Sequence, residues 1–130
     1  MPGVLDGISV VDFGHHVAGP LAAVLLADHG ADVIRVDRPG TTAGEHPSAA
    51  FLHRGKRRIT LDLKREADLD IARRIAERAD VLAENFRPGV MDRLGLGADA
   101  VRATNPALVY CSLPGFGSGD PRAAVPGWEG

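Results

Sequence analysis

The chain has a single cysteine, Cys111, so it forms no disulfide within itself. Cys111 stands in the apolar run 108–113, which predicts a buried, inert thiol rather than a nucleophile. No apolar run is long enough to span a bilayer, and no basic-then-apolar leader opens the sequence. A cytoplasmic protein without a membrane partner is the expectation. The net charge of −2 gives no general reason to expect a nucleic acid. His15, His16, His29, His46 and His53 are scattered, with no Cys or acid at ligand spacing, so no metal site is expected. A G-x-S-x-G nucleophile elbow is absent. Two phosphate motifs also fail. Gly14 and Gly19 have P-loop spacing, but Pro20 and Leu21 stand where Lys and Ser/Thr are needed. The same loop lacks the three glycines of the dinucleotide fingerprint. Asp37 does occupy the place of that fold's ribose-holding acid, so an NADP- or other nucleotide-binding module without chemistry stays open as a rival.

What is present suits one soluble α/β domain. The 130 residues, 45% hydrophobic and 25% charged, are enough for a single core. The stretch from Ile8 to Pro39 organises the rest. Ile8, Val10 and Val11 make a short β-branched strand that ends in a turn at Asp12, Phe13 and Gly14. Gly19 and Pro20 open a helix whose body, Leu21 to His29, is rich in Ala and Leu. Gly30 stops it, and a second strand, Asp32 to Val36, follows. Parallel strands joined by a helix need a right-handed crossover. The crossover puts the 14–20 loop and Arg38 at the carboxyl ends of neighbouring strands, where open α/β sheets bind ligands.

The remainder alternates in the same way. Gly40 to His46 reads as a surface loop and Ser48 to Leu52 as a helical turn. The basic run from His53 to Arg58 is either a solvated loop or an anion site. In the second reading Gly55 lets the backbone approach a phosphate, and Arg54 or Lys56 pairs with it. A strand over Ile59 to Leu63 would bring that cluster to the same sheet edge. Lys64 to Arg78 is predicted as a helix with Leu69, Ala72 and Ala76 on one face. Val81 to Ala83 is a strand, Pro88 to Leu94 a short helix, Ala98 to Thr104 another helix, and Leu108 to Leu113 the last strand. Residues 114–130 are dominated by Gly and Pro and predict no regular element. The fold expected is an α/β, Rossmann-like, mainly parallel sheet flanked by helices. A long terminal loop without a following element reads as a truncated domain, with Pro114–Gly130 leading to a missing remainder.

Several stretches together carry a family resemblance: VVDFGHHVAGPLAAVLLADHGADVIRVDRP, RGKRRITLDLK, ADVLAENFRPGVMDRLGLG and NPALVYCSLPGFGSGDPRAAVPGWEG. The chain resembles the N-terminal, CoA-binding portion of the class III coenzyme A transferases. That family includes formyl-CoA transferase, carnitine-CoA transferase and α-methylacyl-CoA racemase. The resemblance implies CoA laid across the carboxyl edge of the sheet, as substrate rather than as a tightly bound cofactor. It marks Val17 and Ala18 as one contact segment and Arg38 as the arginine at the nucleotide end. Leu61 to Lys64, then Asn85, Phe86 and Arg87, then Arg93 match further contact positions. Leu113, Gly115 and Phe116 match a segment near the pantetheine.

The implied activity is transfer of CoA between an acyl-CoA and a carboxylic acid. It proceeds in the family through an aspartyl intermediate, whose Asp is expected beyond Gly130. No catalytic residue is therefore assigned within the chain. Full-length relatives are implied to be homodimers. The chain departs from the pattern at Pro114, where some transferases carry a basic residue, and at His53, where Asn is frequent. Trp128 stands where racemases place a histidine, which favours the transferase branch over a racemase acting on 2-methylacyl-CoA.

Overall fold

β-Branched residues start the sheet, and a two-residue period decides which face each one covers. The computed structural model describes residues 2–41 and 47–127. Strand β1 (Ser9–Asp12) leads through helix α1 (Ala18–Asp28) to β2 (Asp32–Asp37), and α2 (Pro47–His53) leads to β3 (Lys56–Thr60). Helix α3 (Glu66–Arg78) then crosses to β4 (Val81–Glu84). Two short helices, α4 (Val90–Arg93) and α5 (Ala98–Thr104), precede β5 (Val109–Ser112). All pairings are parallel, in the order β3-β2-β1-β4-β5. This is the expected α/β, Rossmann-like sheet. Its order reverses between β1 and β4, so the crevice that such sheets offer a ligand lies at the carboxyl ends of those two strands.

Alternation along the strands divides the core in two. Val10 and Val33 pack with Ala23 and Ala31 on the α1 face. Val11 and Val36 pack with Leu69, Ala72 and Ala76 of α3 on the other face, together with Phe13, Leu82 and Leu96. The predicted stripe of α3 is therefore the buried one, with Glu66 and Asp68 in its first turn and Arg78 in its last, as the helix dipole favours. Gly30, at φ 103°, ends α1 in the left-handed conformation that glycine adopts without strain.

Most boundaries shift from expectation by a residue or two, and those of α3 and β3 bear on the site. Helix α3 begins at Glu66, after a turn in which Asp62 accepts from the Lys64 amide at 3.1 Å. The third strand is Lys56–Thr60 rather than Ile59 to Leu63, because it pairs in register with β2 from Val33↔Lys56 to Asp37↔Thr60. It is an edge strand, and edge strands tolerate charge. Arg57 reaches Asp32 and Arg58 reaches Asp37, so the basic run is woven into the ladder. Residues 42–46 of the predicted surface loop, and Trp128, lie outside the described residues.

Candidate functional site

Each strand's carboxyl end hands its chain to a loop, and those loops meet over β1 and β4. After β1, the Asp12 carboxylate turns the backbone by accepting from the Gly14 amide at 2.8 Å. Glu84, the last residue of β4, does the same with the Phe86 amide at 2.9 Å. Asn85 then ties the two loops together. Its Oδ1 accepts from the His15 amide at 2.6 Å, and its Nδ2 donates to the His15 carbonyl at 2.7 Å. The loop closes on itself at Gly14 and Gly19, where a Cβ on Gly14 would stand 2.7 Å from the Gly19 Cα. His16 takes a left-handed φ of 57°, the one such non-glycine residue among those described. Such conformations cluster where a site is held in shape by its surroundings. Val17, 60% exposed, is the N-cap residue that leads into α1.

The His15 ring lies edge-on to Phe86, with centroids 4.6 Å apart. The Arg38 guanidinium sits 5.9 Å from the same Phe86 ring. Burial holds the His15 pKa down to about 4, with Arg38 and Arg35 adding to the effect. The imidazole is thus neutral at pH 7, and its enclosed Nε2 meets no hydrogen-bond partner among the described residues.

Under this edge lies a group of buried charges. Lys56 donates to Asp12 Oδ2 and to the Pro20 carbonyl, both at 2.8 Å, with the lysine and aspartate side chains fully enclosed. Arg35 Nη1 approaches the same Asp12 oxygen at 3.4 Å, and its Nε donates to Asp37 at 2.7 Å. Arg58 donates to the other Asp37 oxygen at 2.6 Å. Burial holds the Lys56 pKa below its ordinary value, and the Asp12 pairing offsets this only in part. The cluster joins β1, β2, β3 and the start of α1, so it fixes the 13–17 loop from beneath. No group of His, Cys, Asp and Glu among the described residues is arranged to hold a metal ion.

Residues 5–130 match the model of CoA-transferase family III. The chain belongs to that family. It is 43% identical to the probable fatty acyl-CoA transferase Rv3272 of Mycobacterium tuberculosis, over 95% of this chain and 34% of that protein. It is 48% identical to α-methylacyl-CoA racemase of Mus musculus, over 88% of this chain and 29% of that one. A solved structure of a CAIB/BAIF family protein from Brucella suis superimposes with a TM-score of 0.90 at 39% identity, covering 98% of this chain and 38% of the other. The chain thus spans about a third of the length of these family III relatives.

The predicted family III contacts fall mostly on this one edge. Val17, Ala18, Arg38, Lys64, Asn85, Phe86 and Arg87 follow β1 to β4 in turn, and Leu113 extends β5 by donating to the Glu84 carbonyl at 2.9 Å. Gly115 and Phe116 lie just beyond, Phe116 beneath the Arg122 guanidinium at 4.5 Å. Arg93, exposed at the end of α4, folds over Gly89. Leu61 sits at the carboxyl end of β3, but its side chain belongs to the core.

Two predicted contacts are placed elsewhere. Arg54 lies at the opposite, amino edge, paired with Asp28 at the end of α1 and stacked on Phe51. Gly55, at φ 70°, serves the turn into β3. The Lys56 ammonium is committed to Asp12, so it is a prop beneath the site rather than an open phosphate partner. Asp37, on which the dinucleotide rival leaned, is buried between Arg35 and Arg58 and presents no carboxylate to a ribose. Sequence reasoning passed over His15 because one histidine in a loop carries no spacing signal. The parallel Asp12–Gly14 and Glu84–Phe86 turns were the available hint, since both acids end strands that border the crevice.

Proposed function

We propose that this chain is the CoA-binding part of a class III acyl-CoA:carboxylate CoA-transferase. The observation that carries the reading is the convergence at the carboxyl ends of β1 and β4. There the Asn85-clamped loop, the Phe86 ring and the exposed Arg38 share one crevice. Among the described residues no carboxylate pairs with Arg38, whereas Arg35, Arg54, Arg57, Arg58 and Arg122 all have one. A guanidinium that no described carboxylate claims, beside an aromatic ring, suits a phosphate next to a planar base.

In the family's chemistry an aspartate attacks the acyl thioester carbonyl, and the CoA thiolate leaves. The thiolate then attacks the resulting anhydride at the aspartyl carbonyl, and the carboxylate product departs. An incoming acid repeats the sequence in reverse. The carboxylates at this edge are unsuited to that role. Asp12 and Asp37 are buried in ion pairs, Glu84 caps a loop, and Asp120 is bound by Arg122, which lowers its pKa. We therefore assign the nucleophile to a part of the protein beyond these residues.

Thermal shift with CoA, acetyl-CoA, NAD and NADP tests the reading, because a ligand that binds only the native state raises its stability. CoA and acetyl-CoA should give the largest shifts, and a larger shift with NADP would refute it. The match to racemases keeps a second reading open. In the full-length protein, loss of an α-deuterium from a 2-methylacyl-CoA without any CoA exchange to carboxylic acids would favour it.

A further inference from the structure

The loop between β1 and α1 narrows to a neck, where a Cβ on Gly14 would stand 2.7 Å from the Gly19 Cα. Two glycines bring no side chain to bond across that neck. The backbone does not favour the closed shape by itself either, since His16 holds a left-handed φ of 57°. Non-glycine residues keep such a conformation where their surroundings impose it. Asn85 fixes the middle of the loop, at the His15 amide and carbonyl. The two ends need a tie of their own.

Lys56 reaches both ends. It opens β3, two strands away from β1, and neighbouring strands lie about 4.8 Å apart. In register with Val33, its unbranched arm crosses β2 on the α1 face. The ammonium donates to Asp12 Oδ2, before the loop, and to the Pro20 carbonyl, after it, both at 2.8 Å. The other Asp12 oxygen turns the chain at the Gly14 amide. Arg35 stands farther from Asp12, at 3.4 Å, and its Nε is taken by Asp37. The Lys56 side chain is fully enclosed, so it acts on a ligand only through the loop it holds.

We propose that Lys56 is a positioning residue of the CoA site: by tying Asp12 to Pro20 it closes the neck of the 14–19 loop and presets the loop for its ligand. This rests on the CoA reading. A loop already in its binding shape gives up less freedom on binding. Where only a fraction of the molecules holds that shape, the apparent affinity falls by the same fraction.

Calorimetry with CoA, well below the melting temperature, reads the effect in Lys56→Met. If releasing the neck leaves about one molecule in ten with the loop in place, CoA binds about tenfold more weakly. Adding Asp12→Asn removes the lone buried carboxylate and so recovers part of the stability, but it does not retie the neck. The double variant should therefore bind CoA as weakly as Lys56→Met, and it carries the test if Lys56→Met fails to fold. Native-state hydrogen exchange in the double variant needs no ligand. The Gly14 and Leu21 amides, bonded to Asp12 and to the Val17 carbonyl, should speed up by a larger factor than the Leu82 amide in the middle of the sheet, because the loop opens locally. CoA affinity that stays at the wild-type level, affinity that returns with stability in the double variant, or exchange that speeds up uniformly would each make Lys56 a structural residue only and overturn the proposal, with CoA binding intact. A wild-type chain that does not bind CoA overturns the CoA reading and the proposal together.

Discussion

Replacing Lys56 by Met should cost this domain more stability than any substitution at an exposed ion pair. The Lys56 and Asp12 side chains are both fully enclosed, and their charged atoms are 2.8 Å apart. Removing the ammonium leaves the Asp12 carboxylate buried with only Arg35, at 3.4 Å, and the Gly14 amide, at 2.8 Å. Breaking a buried pair by deleting one partner costs about 3–5 kcal/mol. Arg35 compensates in part, which argues for the lower end, about 3 kcal/mol. A domain of this size is stable by about 6–20 kcal/mol at ordinary per-residue values, so the loss is a large fraction. The urea midpoint should fall by about 1–3 M with an unchanged slope.

Three further variants make the reasoning refutable. Arg57→Ala breaks an exposed pair with Asp32 and should cost less than about 1 kcal/mol. Asp12→Asn keeps an oxygen for the Gly14 amide but removes the charge. Combined with Lys56→Met it should show a coupling of about 2 kcal/mol, because the double variant no longer buries a lone carboxylate. A loss within 1 kcal/mol for Lys56→Met, or additive losses in the double variant, would show that Asp12 does not depend on Lys56.

Other outcomes follow from the same geometry. Arg38→Glu should weaken CoA at least about tenfold, the worth of a charge-assisted phosphate bond, while leaving the melting temperature within a degree or two, since Arg38 is exposed; equal calorimetric affinities would count against the site. The His15 pKa is lowered on folding, so neutral His15 contributes stability in full above about pH 6.5. That contribution should fade as the pH drops toward about 4 and fall no further below it, and a urea titration across this window should show a smaller slope for His15→Phe than for wild type. The 130-residue chain alone should exchange no CoA between an acyl-CoA and a panel of carboxylic acids; turnover that vanishes in Asp120→Asn would make Asp120 the nucleophile after all.

The features legible in the sequence are the local ones. β1, α1, the stop at Gly30, β2 and the buried face of α3 follow from β-branched runs, Pro and Gly punctuation and helical spacing, and they stand where those signals put them. β3 does not. Ile59, Leu61 and Leu63 alternate like a half-buried strand, but an edge strand is paid for by its partners on β2, and those partners are the acids Asp32 and Asp37. Pairing across strands is invisible to a pattern read along one strand.

The same limit decides how much of the site was legible. The 14–20 loop and Arg38 required only the rule that parallel sheets present their carboxyl ends, the individual contacts there and in the Asn85–Arg87 loop came from the family resemblance, and these residues do gather at one edge. Arg54 and Lys56 were assigned by counting from a strand that begins later than the real one. Moving the strand's start to Lys56 sends Arg54 to the far edge and draws the lysine inward to Asp12. A cation in a basic run is therefore not evidence for an anion ligand until the fate of the nearest acids is known. Arg38 survives that test on both counts, as do Lys64 and Arg87: each follows its strand rather than opening it, and no acid among the described residues claims it.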